Sequence, residues 1–276
     1  MRIVFTYASL NGLDIMVSGI QNAYLQSPIS EKYWTICGPD FRPELQGCKA
    51  YIAQKLYQNC CAGRDFRQDH RECREIIGYT SCLTYTYLCI RKVINDDGCE
   101  YYEYMLLCVD NCLCIYGQPW EAFEEVNKYF PMKASSIGPP KIYLGAKAGK
   151  LQLPNGVEAY AIIMSQHVQE SVKNVDKYLH DRGIALFNKA LTPLLANYSP
   201  TFGRSPELDE READFYQSLI GIFRWMVEMG RLDICMEVSA MSSFVTIPRE
   251  DHFQQMLHMF AYLKIHHNAQ IMSDSS

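Results

Sequence analysis

The chain has 276 residues, of which 48% are hydrophobic, so it carries enough apolar material for a buried core and is not a disordered polymer. Its net charge is −5: residues 1–150 hold 16 basic and 16 acidic side chains, and residues 151–276 hold 10 and 15. That balance disfavours a general phosphate-gripping surface, although net charge does not describe any single face.

No apolar run approaches the roughly 18 residues of a membrane span. The opening MRIVFTYASLNGL lacks a secretory cleavage pattern and begins inside an apolar-periodic segment, which suggests a natural start further upstream. Without a secretory signal, the twelve cysteines read as reduced thiols. Cys60-Cys61 with His70 and Cys73 lack the paired C-x2-C spacing that would support a zinc site.

In chain order, residues 1–18 place Ile3, Val4, Tyr7 and Leu10 at helical spacing, with a turn at Asn11-Gly12. GIQNAYLQ (19–26) reads as a strand entering a turn, and SPISEK as loop. TICGPDF and CKAYIAQKLY read as short strands. RDFRQDHRECREII (64–77) reads as an amphipathic helix with Phe66, Cys73, Ile76 and Ile77 inward and its charges outward. Two strand-rich runs, TSCLTYTYLCIRKV and EYYEYMLLCVDN, flank the hairpin signal Asn95-Asp96-Asp97-Gly98. The second run continues through LLCVDNCLCI (106–115), two apolar strands around Asp110-Asn111. There Cys108, Cys112 and Cys114 read as small apolar core residues. PWEAFEEVNKYF (119–130) reads as a helix with Trp120, Phe123, Val126 and Phe130 on one side.

Beyond residue 140 the pattern predicts two strands over 141–164 joined at Pro154-Asn155-Gly156, then a helix over 165–182 stopped by Gly183. A Pro-containing polar linker follows at 192–210, then helices over 212–229 and 233–265. The whole reads as α+β: an antiparallel sheet packed on helices, followed by a mostly helical C-terminal part.

GIQNAYLQ, KLYQNCCAGRDF (55–66) and LLCVDNCLCI together resemble the reverse transcriptase of copia-type retrotransposons, an RNA-directed DNA polymerase. Further matches in the same order are YLG (143–145), SQ (165–166), TPL (192–194), YQSLIGIFRWMVEMGRLDI (216–234) and PREDHFQQMLHMFAYLK (248–264). Each short motif is weakly specific alone; the ordered set covers almost the whole chain. The resemblance implies a polymerase palm with partial fingers over 1–145 and thumb-like strands and a helix over 146–200. It makes 201–276 a helical connection toward a ribonuclease H domain, in a polyprotein that also carries an integrase. It also implies Mg²⁺, deoxynucleotides and an RNA or DNA primer–template as ligands, no membrane, and an intracellular location in a cytoplasmic particle or the nucleus.

That family's chemistry is two-metal nucleotidyl transfer anchored by three aspartates. Carried over residue by residue, those positions fall on Gly19, Asp110 and Asn111, so one metal-binding carboxylate, Asp110, remains. Each 1.36 kcal/mol of lost transition-state stabilisation costs about tenfold in rate, and each carboxylate–metal contact is worth several kcal/mol. The resemblance also makes Tyr24, Cys61, Arg64 and Lys133 nucleotide-binding positions: Tyr24 under the nucleotide sugar, Cys61 where the family has a nucleotide-contacting glutamine, Arg64 at a retained arginine, and Lys133 near the triphosphate. It makes Tyr143, Leu144 and Gly145 a primer-gripping turn. From residue type alone, Tyr24, Tyr143 and Leu144 are equally core residues, Arg64 a surface ion pair, Lys133 a solvated loop residue and Asp110 a turn residue. The expectation is a truncated, catalytically inactive copy. The alternatives are a non-catalytic nucleic-acid-binding or assembly module and a functionless relic.

Overall fold

The computed structural model describes residues 2–57, 61–94, 97–117, 119–186, 190–195, 198 and 205–273. It is a mixed α+β structure with antiparallel sheets, divided by its contacts into two compact units: residues 11–140, and residues 1–10 with 141–276.

In the unit formed by residues 11–140, β1 (Asp14–Gly19), β2 (Trp34–Ile36), β3 (Lys49–Tyr51), β4 (Thr80–Ser81), β5 (Leu88–Ile94), β6 (Glu100–Cys108) and β7 (Asn111–Tyr116) join two helices, α1 (Ala62–Ile76) and α2 (Pro119–Asn127). Five of the strands form one antiparallel sheet in the order β1-β7-β6-β5-β4, and β2 pairs with β3. The sheet and helices share a core in which Met16, Ile20, Phe66, Met105, Cys112, Cys114, Phe123 and Phe130 are buried. Cys112, Leu113, Cys114 and Ile115 of β7 are all buried, so both faces of this strand, whose edges pair with β1 and β6, are covered.

The strand expected over 19–26 lies earlier. Asn11-Gly12 turns the chain, with Gly12 at φ 62°, and the alternating DIMVSG then forms β1. Past Gly19 only Ile20 bridges Met132; Asn22 adopts the left-handed φ that an asparagine tolerates, and Ala23–Gln26 closes into a 3₁₀ turn. Ile76 and Trp120 are exposed rather than inward, since the buried faces of their helices run through Phe66, His70 and Cys73 and through Ala122, Phe123 and Val126. β5 and β6 pair from Leu88↔Leu106 to Ile94↔Glu100, with Gly98 at φ 81° in their connection. Asn95 and Asp96 of the expected turn fall outside the described residues.

In the other unit, residues 2–10 form a helix, α3 (Arg2–Leu10), whose Val4, Phe5 and Ala8 are buried. Phe5 meets Tyr160 edge-on at 5.5 Å. A second sheet has the order β11-β10-β9-β8, built from β8 (Ile142–Tyr143), β9 (Ala146–Gln152), β10 (Glu158–Ile163) and β11 (Gln270–Ser273). Four further helices are α4 (Ser165–His180), α5 (Glu210–Met229), α6 (Cys235–Ser242) and α7 (Glu250–Ile265). The hairpin expected at Pro154-Asn155-Gly156 joins β9 to β10, and Gly183 follows α4 at φ 70°. The helix expected across 233–265 is broken between Ser242 and Glu250, where Ser243 and Pro248 do not continue it. β11 had no counterpart in the sequence pattern. It is four residues long, too short for its alternation to stand out. Of the linker expected at 192–210, residues 196–197 and 199–204 lie outside the described residues.

Candidate functional site

β6 and β7 form a tight hairpin in which Cys108 pairs with Asn111, leaving Val109 and Asp110 at its tip. Val109 is exposed and held at φ 56°. A β-branched side chain crowds the backbone in this left-handed region, so the tip stores local strain. β1 lies on the other side of β7, with Gly19 directly opposite Asn111. The main chain clamps the arrangement: Ile20 N–H donates to the Asp110 carbonyl at 2.7 Å, and Lys133 N–H donates to the Gly19 carbonyl at 2.8 Å. The Gly19 N–H donates to the Ser136 hydroxyl at 2.8 Å, and that hydroxyl donates to the Lys133 carbonyl at 2.7 Å. Gly19, Asp110, Asn111 and Lys133 are thus brought together from three segments separated in sequence.

At this tip the Asp110 carboxylate meets two side-chain donors. Asn111 Nδ2 donates to Asp110 Oδ1 at 3.0 Å, and the Lys133 ammonium lies 3.5 Å from Asp110 Oδ2. A Cβ built on Gly19 would lie 3.2 Å from Lys133 Cδ and 3.4 Å from Lys133 Nζ. The lysine side chain therefore runs through the space that a side chain at residue 19 would enter. Both oxygens of the carboxylate face hydrogen-bond donors, and one donor is itself a cation. This donor set does not fit Mg²⁺, which needs oxygen ligands and anchoring carboxylates. Asn111 turns its amide N–H₂, not its oxygen, toward Asp110. Among the described residues no three His, Cys, Asp or Glu side chains are grouped to hold a metal ion.

Tyr24 lies in the same unit, half-buried, with its ring 4.9 Å from that of Tyr57 and 5.6 Å edge-on to Phe66. Its Oη would lie 3.7 Å from a Cβ on Gly63, so the small residue at 63 leaves room for the ring. Cys61 stands at the N-terminus of α1 with Sγ 3.3 Å from a Glu31 carboxylate oxygen. Arg64 is exposed and paired with Asp65 at 2.9 Å and Glu31 at 3.8 Å, the surface ion pair that its residue type allows. Gln58, Asn59 and Cys60 of the same motif lie outside the described residues. Tyr143, Leu144 and Gly145 belong to the other unit. There Leu144 (φ 53°) and Gly145 (φ 82°) form the two-residue turn between β8 and β9, and Tyr143 is buried.

His70 is buried between the rings of Phe66 and Phe130, 5.9 and 5.2 Å away, and among the described residues neither ring nitrogen has a hydrogen-bond partner. Burial, reinforced by the nearby Arg74 charge, pushes its pKa down to about 3, so it is a neutral core ring at ordinary pH. Cys73 is buried in the same core, where burial pushes its thiol up to about 11.

A second cluster of charges lies under the sheet. Glu103 on β6 is fully buried, with 0% of its surface exposed, and accepts from Arg91 Nε at 2.7 Å, Tyr79 at 3.2 Å and Tyr101 at 3.4 Å. Arg91 also donates to Glu125 at 2.7 Å and to the Ile77 carbonyl at 2.8 Å, and its guanidinium lies 4.5 Å over the Tyr79 ring. Burial pushes the Glu103 carboxyl above its ordinary value against the pull of Arg91. Sequence reasoning missed this network and the Ser136 clamp. The only signal was an acidic residue in the middle of an aromatic strand, EYYEYMLLC.

No protein-family model matches the chain, and no curated protein matches it. No helix among the described residues is long and apolar enough to cross a membrane.

Proposed function

We propose that the chain is a degenerate copia-type reverse transcriptase domain that keeps the palm scaffold and no longer catalyses nucleotidyl transfer. The observation that carries this reading is the meeting of three positions. Residues 19, 110 and 111 are the ones that the resemblance assigns to metal-binding aspartates. Gly19 and Asn111 are cross-strand partners, and Asp110 caps the hairpin beside them. The meeting of positions 91 residues apart supports the motif assignment. The chemistry of that point supports inactivity: one carboxylate, an amide donor and a lysine ammonium supply no divalent-cation site. RNA or DNA primer–template and deoxynucleotides are the ligands that the resemblance brings to this reading, and integrase and ribonuclease H are its companion domains.

Primer extension on an RNA template, with Mg²⁺ and separately with Mn²⁺, tests the reading. The expected result is no extension by the natural chain and detectable extension by Gly19→Asp/Asn111→Asp. The glycine backbone at 19 accepts an aspartate, because the nearest obstacle is the flexible end of Lys133. Extension by the natural chain that is lost in Asp110→Ala would overturn inactivity.

A further inference from the structure

The sequence KLYQNCCAGRDFRQDHRECREI gives α1 four arginines, Arg64, Arg67, Arg71 and Arg74, at steps of three, four and three residues. That spacing aligns them along one helical face. In the structure all four line one cavity of about 340 Å³, together with Gln68, Thr86 and a single carboxylate, Asp65. The lining therefore holds four cations against one anion. The carboxylate is already committed, because Ser30 first and Arg64 second hydrogen-bond to it and hold it below its ordinary value.

Arg74 is the unusual member. Only 1% of it is exposed, so its guanidinium is buried with the rest of the side chain. Its partners are the His70 carbonyl at 3.3 Å and Cys89 Sγ at 2.7 Å, and it makes no salt bridge among the described residues. A buried cation with no carboxylate pays a desolvation penalty that an entering anion would relieve. Arg67, exposed at the same cavity, also lacks a salt bridge; its guanidinium lies 4.9 Å from the Tyr87 ring, which holds it in place without neutralising it. Arg71 pairs with Glu75 at 2.8 Å, a solvent-exposed pair that is weak and exchangeable.

We infer that this arginine-lined cavity is a binding site for the phosphate groups of a small oligophosphate anion. Guanidinium forks match phosphate oxygens bidentately, and the buried Arg74 gives the site a fixed charge while Arg67 and Arg71 close on the ligand from solvent. The cavity volume lies at the small end of ligand pockets, which favours a compact molecule over a duplex backbone. The site shares no residue with the hairpin tip; it includes Arg64, which the resemblance counts as nucleotide-binding, but it is argued from Arg67, Arg71 and Arg74 and does not rest on the proposed function.

Calorimetric titration of the full chain with tripolyphosphate at fixed ionic strength tests the inference. A saturable one-site isotherm is expected, weakened at least tenfold in both Arg67→Ala and Arg71→Ala. These exposed positions leave the fold intact, as circular dichroism would check. Arg74→Lys, which keeps the charge but loses the fork, should also weaken binding. Lys128→Ala, an exposed cation elsewhere in the same unit, should not. Absence of saturable binding, or binding unaffected by Arg67→Ala and Arg71→Ala, would overturn the site. So would affinity for a duplex oligonucleotide with none for tripolyphosphate, or loss of tripolyphosphate binding in Lys133→Met, which would place the anion at the hairpin.

Discussion

Two ion pairs in the unit of residues 11–140 have the same chemistry and opposite settings. At the hairpin tip, Lys133 and Asp110 meet at 3.5 Å with 47% and 30% of their side chains exposed. Under the sheet, Arg91 and Glu103 meet at 2.7 Å with 16% and 0% exposed, and two tyrosines and Glu125 complete their hydrogen bonds. Water screens the first pair, so it adds little to stability and its residues can change at small cost. The second pair has been removed from water, and losing Arg91 strands the buried Glu103 carboxylate without a cation. The exposed tip can therefore change at small cost while the scaffold stays fixed by its own buried charges.

The contrast breaks most readily at Arg91. Arg91→Met should cost about 3–5 kcal/mol in chemical denaturation, since Glu103 would be left buried without its cation. A loss under about 1 kcal/mol would mean that water already reaches Glu103. His70 gives the next effect. Its ring binds a proton near pH 6.5 in the unfolded chain and only near pH 3 in the folded one. The unfolded state therefore holds the extra proton between those values, and stability falls as pH drops through that window. The slope from this one group reaches about 1.4 kcal/mol per pH unit and vanishes above about pH 6.5. His70→Phe should flatten that acid limb in urea melts run at a series of pH values; an unchanged limb would assign it to other groups.

Smaller effects belong to the tip itself. Val109→Gly should stabilise the chain by about 0.5–1 kcal/mol, because the relief of a left-handed β-branched residue exceeds the entropy that glycine brings to the unfolded chain. Lys133→Met should change stability by less than about 1 kcal/mol in the same melts. A larger loss would show that the exposed pair is part of the scaffold after all.

Local and tertiary causes divide the elements that the residues themselves specify from those they do not. The helix carrying Phe66 and Cys73, the turn at Pro154-Asn155-Gly156 and the hairpin around Asp110 are written in local periodicity and turn chemistry, and the chain forms them there. The order of β1 beside β7 depends on pairing between residues about a hundred positions apart, which no local window contains. Asp14–Gly19 was therefore displaced from the strand expected at 19–26. Glu103 sits at an inward position of β6 where a carboxylate contradicts the pattern, and only its distant partner Arg91 explains it. At the candidate site, the resemblance supplied Gly19, Asp110, Asn111 and Lys133. What it did not supply is that the ammonium of Lys133 occupies the space beside Gly19, because that depends on a loop returning across the sheet.

The proposed function holds that the Lys133 ammonium and the Asn111 amide leave the hairpin without a divalent-cation site. It is tested most directly by titrating Mn²⁺ into the natural chain and into Gly19→Asp/Asn111→Asp, reading bound Mn²⁺ by electron paramagnetic resonance. The natural chain should show no saturable Mn²⁺ site that depends on Asp110, and the double variant should gain one. Saturable binding by the natural chain that disappears in Asp110→Ala would mean that the hairpin still holds a divalent cation.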